Sequence, residues 1–521
     1  MSFEEIESLS LLAHKVGPCV FDLSSYQTNV SIRDQIVRAQ QLVIDLKVAH
    51  SAARSLLVVG MGAAGVNAAL TACEVGFDDV RIVDIEDRPF QLFHRTTSRF
   101  VGPYMYEWPS QFYAGQSYPS HFSTPWDDFG RSPLNWEAKS PVSASDLAKL
   151  LEQSVLRWCE KRSSQPRPTF IVDVDRRNIR AFIKRFAARE AAMAKDMMFG
   201  PPDFVAKRSI KAFGPKAKVW EGTVAGNSVT SFKPDYIIVA AGMGKECLSI
   251  PGMREPSQSF WADDTLKEPA VSDQRVIVLG GGDGAIQDVL RALTIHDHPI
   301  TFIEQLEALP VVRQALENEI PALLSADRQL RQHTSWSRDS AAFAMIDTAC
   351  KEAAQNLAEI GVVSRQVLRS LRKGTGEVRH YVRGPHFDKA YLLNRFVVYL
   401  LQACLKADSK ENDGGMGFTL VFNKEVKYCV YPKKNRMCDL YIGIPSVELP
   451  HGLTKIKDVD HLIVRFGILK DTIPGPLLIQ ISDAVTKQRT TLNRVELPFV
   501  VMNNAAQTVS KTVAPYTTTA A

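Results

Sequence analysis

The 521-residue sequence has little that would support metal, disulfide or nucleophilic chemistry. Its eight cysteines (Cys19, Cys73, Cys159, Cys247, Cys350, Cys404, Cys429, Cys438) contain no CxxC pair and no metal-ligand spacing. That excludes a zinc ribbon and a redox-active dithiol drawn from neighbouring cysteines, and leaves reduced, mostly buried thiols in a cytoplasmic protein as the expectation. Residues 1–10 are acidic and lack the positive start and apolar core of a secretory signal. No stretch supplies the roughly 18 uncharged apolar residues of a membrane span, because the best candidate, 462–481, contains Arg465, Lys470 and Asp471. A formal charge of +5 is small for this length, so neither nucleic acid nor an anionic membrane is expected as a partner. The local basic group Lys207, Arg208, Lys211, Lys216 and Lys218 has no interleaved aromatics and reads as a solvated strand or loop. His94, His121, His380, His386 and His461 are scattered without HExxH spacing, and no GxSxG elbow is present. No acid, base or nucleophile is therefore assigned.

What the chain does have is glycine in two particular places. Gly60-Met61-Gly62-Ala63-Ala64-Gly65 and Gly280-Gly281-Gly282-Asp283-Gly284-Ala285 each follow a continuous apolar run, 55–59 and 275–279, suited to a buried parallel strand. Strand, tight turn and helix in that order make a dinucleotide cradle. The first glycine turns the chain, the second lets a pyrophosphate approach the backbone, and the third position must be small for helix to pack on strand. The diphosphate then meets unpaired N–H groups and the positive end of the helix dipole. An acidic residue lies 24 positions after each first glycine, Asp84 and Glu304, where an acid ending the next strand can accept ribose hydroxyls.

Around these turns the pattern divides the chain. Residues 31–50 have helical apolar spacing, and 1–54 reads as a helical extension. A first domain spans 55–250, with a helix predicted over 143–161, Ser143 or Ser145 as its N-cap, and a basic helix over 178–195. Within it 90–136 is crowded with aromatics and prolines, too broken for a helix and too aromatic for disorder, and is expected to wrap another surface as a packing layer or a cofactor wall. The run 235–242 is a strand ending in Ala240-Ala241-Gly242. A linker containing Pro251 and Pro269 leads to a second domain, 271–468, with a helical insert over 306–410 and strand candidates at 417–422, 426–430 and 460–467. The last of these repeats the strand-into-glycine shape of the run ending at Gly242. Residues 469–521 would close the first domain and end in a disordered tail.

This order resembles the flavoproteins with two dinucleotide-binding domains, over 55–84 and 235–304. Within that group it is similar to uncharacterised FAD/NAD(P)-binding oxidoreductases with a Tyr-x-Trp-Pro segment, here Tyr106-Glu107-Trp108-Pro109. The resemblance implies an α/β fold of two Rossmann-like domains, the second inserted into the first, with an added helical region. It would place FAD pyrophosphate at Gly60, Gly62, Ala63, Ala64 and Gly65, with Asp84 or Glu86 on the ribose and Ala241-Gly242 under the cofactor. NAD(P) would sit at Gly280, Gly282, Asp283 and Ala285 with Glu304 on its ribose. A carboxylate there opposes a 2′-phosphate, so NADH is the expected donor. The family's closing Gly-Asp is missing, and Asp483 is the nearest substitute for its flavin contact.

The function these features imply is an FAD-dependent NAD(P)H oxidoreductase that passes electrons to a small-molecule substrate or to oxygen, a monooxygenase among the options. Two other readings stand beside it: a flavin oxidase or dehydrogenase whose second domain binds no nicotinamide, and a non-catalytic dinucleotide sensor. Oligomeric state is unknown from sequence.

Overall fold

The computed structural model describes residues 9–23, 31–102, 105, 108–109, 132–134, 140–162, 165–199, 208–210, 232–334, 340–387, 390–407, 414–432, 437–445 and 453–472. The first domain contains strands β1 (Lys15–Gly17) and β2 (Val20–Asp22), helix α1 (Ile32–Ala49), β3 (Ser55–Val59), α2 (Ala63–Glu74) and β4 (Asp79–Val83). A short ribbon of β5 (Phe100–Val101) and β6 (Val142–Ser143) precedes α3 (Ala144–Lys161), β7 (Thr169–Val172), α4 (Arg176–Ala187), β8 (Arg208–Ile210) and β9 (Tyr236–Val239). One sheet runs β1-β2-β9-β3-β4-β7-β8. Its five middle strands are parallel to their neighbours, and β1 and β8 are antiparallel edges. Parallel strands are covered on both faces, which is why β3 and β9 are apolar without alternation: Leu56, Leu57, Val58, Ile237, Ile238 and Val239 are all fully buried.

Helix α1 confirms the periodicity of 31–50, burying Ile36, Val37, Leu42, Val43 and Leu46 in the core it shares with α2. The segment 1–54, however, is more than a helical extension, because β1 and β2 join the first sheet and β2 lies parallel against β9. Of the two candidate caps Ser143 is the one that caps α3, its hydroxyl accepting from the Asp146 amide at 3.1 Å. The basic helix expected over 178–195 divides into α4 and a short turn of helix at Ala191–Ala194.

The second domain begins with β10 (Arg275–Leu279) and α5 (Asp283–Leu293), followed by α6 (Pro299–Glu307), α7 (Pro310–Thr334), α8 (Ser340–Ala358) and α9 (Gly361–Arg369). Then come β11 (Glu377–Tyr381), α10 (Leu392–Ala407), β12 (Gly417–Val421), β13 (Glu425–Val430), β14 (Cys438–Gly443), β15 (Thr454–Val459) and β16 (His461–Val464). A parallel sheet has the order β12-β11-β10-β16, and β13-β14-β15 is a separate antiparallel meander. The helical insert is thus not continuous over 306–410: β11 interrupts it and pairs with β10 along its full length.

The two domains repeat one plan. In the first, β9, β3, β4 and β7 are neighbours in that order, and in the second β16, β10, β11 and β12 are. The chain leaves the first domain after β9 and comes back beside its own exit path. Cys247 N–H donates to the Gly467 carbonyl (2.8 Å) and Leu469 N–H to the Lys245 carbonyl (2.8 Å). That antiparallel pair of crossings is what insertion of one domain into another requires.

Of the aromatic stretch 90–136, the described part crosses between domains. Phe90 and Phe93 belong to the first core, whereas Met105 and Trp108 are buried in the second. Trp108, of the Tyr-x-Trp-Pro segment, stacks on Phe396 of α10 with ring centroids 5.0 Å apart. A packing role therefore holds for Trp108, while Met105 also lines the cavity described below. Tyr104, Tyr106 and the aromatics from Phe112 to Trp136 lie outside the described residues.

Candidate dinucleotide sites

At the first turn, Gly60 ends β3 with φ +108°, a backbone state that L side chains rarely adopt. A Cβ there would stand 2.3 Å from the Ala240 carbonyl oxygen, and one on Gly65 would stand 1.8 Å from the Gly60 carbonyl. These two glycines are required by the protein's own packing: the first seats the turn on β9, the other seats α2 on the turn. Gly62 is different. It caps α2 in extended backbone (φ −73°, ψ −179°), and among the described residues a Cβ on it would meet nothing within 4 Å. Among the described residues nothing fills the space in front of the Gly62 Cβ position, as a pyrophosphate cradle requires. Ala63 is nearly buried and Ala64 half-buried in the first turn of α2, where small side chains leave the free amides accessible.

Asp84 follows β4 directly and its carboxylate accepts from the Met61 amide of the glycine turn and from the Glu86 amide (3.0 Å). Burial pushes its pKa up, opposed by those hydrogen bonds. Its position beside the turn is the one a ribose acceptor needs. Glu86 is not on the strand, because β4 ends at Val83; it sits in the following bend and accepts from Arg95 at 2.8 Å. Ala241 and Gly242 leave β9 next to the same turn, Gly242 with φ +86° and, among the described residues, no neighbour to an added Cβ within 4 Å. Gly60, Gly62, Asp84, Ala241 and Gly242 are thus brought together. Asp483 lies outside the described residues.

The second turn repeats this geometry. Gly280 has φ +133°, and a Cβ on it would stand 2.2 Å from the Arg465 carbonyl at the end of β16. Gly467, with φ +81°, then corresponds to Gly242. Gly282 caps α5 in extended backbone, and Ala285 is packed against the Gly280 position. Asp283 turns its carboxylate to the start of α10, accepting from Tyr391 N–H (2.8 Å) and Asn394 Nδ2 (2.5 Å), so it positions a loop. His380 Nε2–H donates to the Gly280 carbonyl at 2.6 Å, and burial lowers this ring's pKa to about 4, which keeps it neutral.

Glu304 is not at this site. It lies on α6, half a domain away in sequence from the strand that pairs with β10, and does not line the cavity over the turn. The register fixes the true equivalent of Asp84. Val59 pairs with Val83, so Asp84 follows; Leu279 pairs with Tyr381, so Val382 and Arg383 follow. The equal 24-residue offsets were a coincidence, because α5 to α9 lengthen the second crossover to 102 positions, from Gly280 to Val382.

Gly280 to Gly284 open into a cavity of about 1560 Å³. On one side it is lined by Arg383, His386 and Lys424, and on another by Phe100, Val101, Gly102 and Met105 from the first domain. The Arg383 side chain is 69% exposed, with its Nε 3.3 Å from Glu425. The Lys424 amide donates to the Val382 carbonyl, which places this residue beside Arg383. The strap at 99–102 packs tightly: a Cβ on Gly102 would be 2.6 Å from the His298 ring, itself wholly buried with its pKa lowered by burial to about 3.

Arg99 anchors that strap in the second domain. It pairs with Asp288 of α5 and with Asp264 of the linker (2.8 Å); Arg291 is bidentate to Asp264 (2.7 and 2.8 Å), and Arg465 reaches Asp288 at 2.9 Å. All five side chains are less than a tenth exposed. Sequence reading missed this network, together with Arg383 and Lys424, since its members are scattered from 99 to 465. His94 belongs to a structural pair, 2.8 Å from Glu152, which also binds Arg88.

Among the described residues no helix is long and apolar enough to cross a membrane, and no group of His, Cys, Asp and Glu is placed to hold a metal ion. None of the eight cysteines, all of them described residues, is in a disulfide.

No family model matches the chain, and no curated protein does. Solved structures similar to it include the bacillithiol disulfide reductase Bdr (YpdA) from Staphylococcus aureus, with 10% identity, 80% of this chain and 77% of that one covered, and a TM-score of 0.35. A thioredoxin reductase from Gloeobacter violaceus aligns at 8% identity over 82% of this chain and 76% of its own, with a TM-score of 0.22. Mycobacterium tuberculosis FprA, in complex with NADPH, aligns at 12% identity over 88% of this chain and 85% of that one, with a TM-score of 0.32. At such overlap, each residue's place in this chain rests on its own geometry.

Proposed function

We propose that this chain is an FAD-dependent oxidoreductase that takes hydride from a nicotinamide dinucleotide, with the first glycine turn holding FAD and the second the nicotinamide donor. The observation that carries this is the repeated cradle: Gly60 seated on the Ala240 carbonyl and Gly280 on the Arg465 carbonyl, each opening a helix whose N-terminus faces free space or a cavity. FAD, when bound, would supply the hydride-accepting ring and pass electrons to a second small molecule or to oxygen. The chain's own part is to bind, orient and exclude water. Gly62 and Gly282 present backbone amides, Asp84 takes the ribose beside the first turn, and Val101 and Met105 roof the second cavity. That cavity exceeds the roughly 300–1,000 Å³ of a single-ligand pocket, which suits a dinucleotide together with a small-molecule acceptor. Eight free cysteines suit a reducing compartment, the cytoplasm.

With Glu304 elsewhere and Arg383 and Lys424 beyond the carboxyl end of β11, the donor in this reading is NADPH, in place of the NADH expected from sequence. A 2′-phosphate would replace Glu425 as the partner of Arg383. Anaerobic spectra of the purified protein before and after each nicotinamide test the reading. Bleaching of a flavin band is expected, faster with NADPH. A protein that stays colourless with excess FAD would refute it, and equal rates with NADH would refute the donor choice alone. Arg383→Ala should raise KM for NADPH about tenfold or more, the worth of a charge-assisted contact, and leave NADH kinetics unchanged. Gly282→Val should keep the yellow colour and lose reduction by either nicotinamide.

A further inference from the structure

The small net charge of the chain conceals a strong local asymmetry. From Arg176 to Phe199 there are seven basic residues (Arg176, Arg177, Arg180, Lys184, Arg185, Arg189 and Lys195) and two acidic ones (Glu190 and Asp196), an excess of +5 that equals the formal charge of the entire protein. Folding puts this charge on one surface. Helix α4 buries Ile179, Phe182, Ile183 and Phe186 against the first core, so its opposite arc exposes Arg176, Arg177, Arg180, Lys184 and Arg185. Among the described residues, Arg176, Arg177, Arg180 and Lys184 enter no ion pair. A solvated helix face normally mixes signs, and this one does not.

Two further observations adjoin it. Just past α4 the chain exposes Met193 (57%) and Met198 (53%), large apolar side chains beside a cationic face. Edge strand β8 brings Arg208, within the basic run that continues to Lys218, into register with Val172, four residues before α4 begins. The second basic run therefore starts at the end of the sheet from which α4 departs. No aromatic side chain is exposed among the described side chains of 176–199, since Phe182, Phe186 and Phe199 are buried. A stacking platform for single-stranded nucleic acid is thus lacking, whereas cations flanked by exposed apolar tips match an anionic headgroup layer above acyl chains.

We propose that the outer face of α4, with Met193 and Met198, docks the protein on an anionic lipid surface. The apolar side of α4 stays in the protein core, so the helix does not insert; attraction is electrostatic, with the two methionines entering the headgroup boundary. This goes beyond the redox reading and is independent of it.

The test is flotation of the full chain with vesicles of phosphatidylcholine alone or mixed with phosphatidylserine, at low and high salt. Binding to the mixed vesicles is expected to be about tenfold or more above that to phosphatidylcholine, and to collapse at about 1 M salt, where the screening length falls to roughly 3 Å. The triple variant Arg176→Gln, Arg180→Gln, Lys184→Gln should lose most of this binding while keeping wild-type circular dichroism, because none of the three reaches the core. Met193→Ser should weaken binding to mixed vesicles with its salt dependence retained. Equal binding to both vesicle types, undiminished binding by the triple variant, or stronger binding to DNA or RNA than to mixed vesicles at the same salt would each overturn the proposal. Flavin content is read separately, so loss of the redox function would not be mistaken for loss of docking.

Discussion

Gly62→Val is expected to give a folded protein that carries no flavin. The backbone at Gly62 is extended, a state valine adopts readily, and among the described residues the added side chain meets no atom within 4 Å at its Cβ. Exchanging glycine for valine at the cap costs little of the fold, on the order of 1 kcal/mol or less. The new methyl groups instead occupy the space where an anionic diphosphate would meet the α2 amides. Circular dichroism melting of the apo protein should be close to wild type, with flavin absorbance lost after reconstitution. Gly65→Val makes the contrast: its Cβ would overlap the Gly60 carbonyl at 1.8 Å, so that variant should lose the fold along with the flavin. Purification of Gly62→Val with a full complement of flavin would remove the first turn from the cofactor site.

Asp288→Ala is expected to be the most destabilising of the substitutions considered. The Asp288 carboxylate, wholly buried, receives Arg99 from the first domain, Arg291 from its own helix and Arg465 from the returning hinge. Three guanidinium groups and two carboxylates make a buried cluster of net charge +1, and removing Asp288 leaves three cations around Asp264 alone. Breaking a buried ion pair by deleting one partner costs about 3–5 kcal/mol, largely because the remaining charge is desolvated without compensation. For domains of this size that corresponds to a fall of roughly 10 °C in melting temperature. Since Arg99 is the tie from the first domain, the single melting transition should also separate into two, seen by differential scanning calorimetry. A variant melting within a degree or two of wild type in one transition would show that the network contributes neither stability nor coupling.

Much of this architecture was legible in local sequence because parallel strands and glycine turns leave local marks. Buried strands such as 55–59 and 275–279 must be apolar on both faces, and a turn packed on a neighbouring carbonyl admits only glycine at Gly60 and Gly280. Helices α1 and α3 were equally readable, from apolar spacing and the Ser143 cap. The resemblance between the runs ending at Gly242 and Gly467 was also sound, since both strands return beside a glycine turn.

Position along the chain misled where a crossover grew longer. Glu304 stands at the offset that fits the first domain, but α5 to α9 intervene and β11 takes the place beside β10. Sequence distance cannot report which strand becomes a neighbour; hydrogen-bond register does, and it puts Val382, with Arg383 next to it, where the first domain has Asp84. The Arg99 network was invisible for a related reason: its partners come from four separate segments, and no local pattern obliges an arginine to be buried until the opposite charges converge on it.

The sequence by itself determined that there are two glycine-turn cradles, because the positive φ at Gly60 and Gly280 is a local backbone state that leaves glycine as its mark. Only the tertiary structure decided which side chains stand beside each cradle, which strap closes the second one and where the basic charge gathers. Those depend on contacts between residues hundreds of positions apart, brought together by strand order and by the burial of apolar faces.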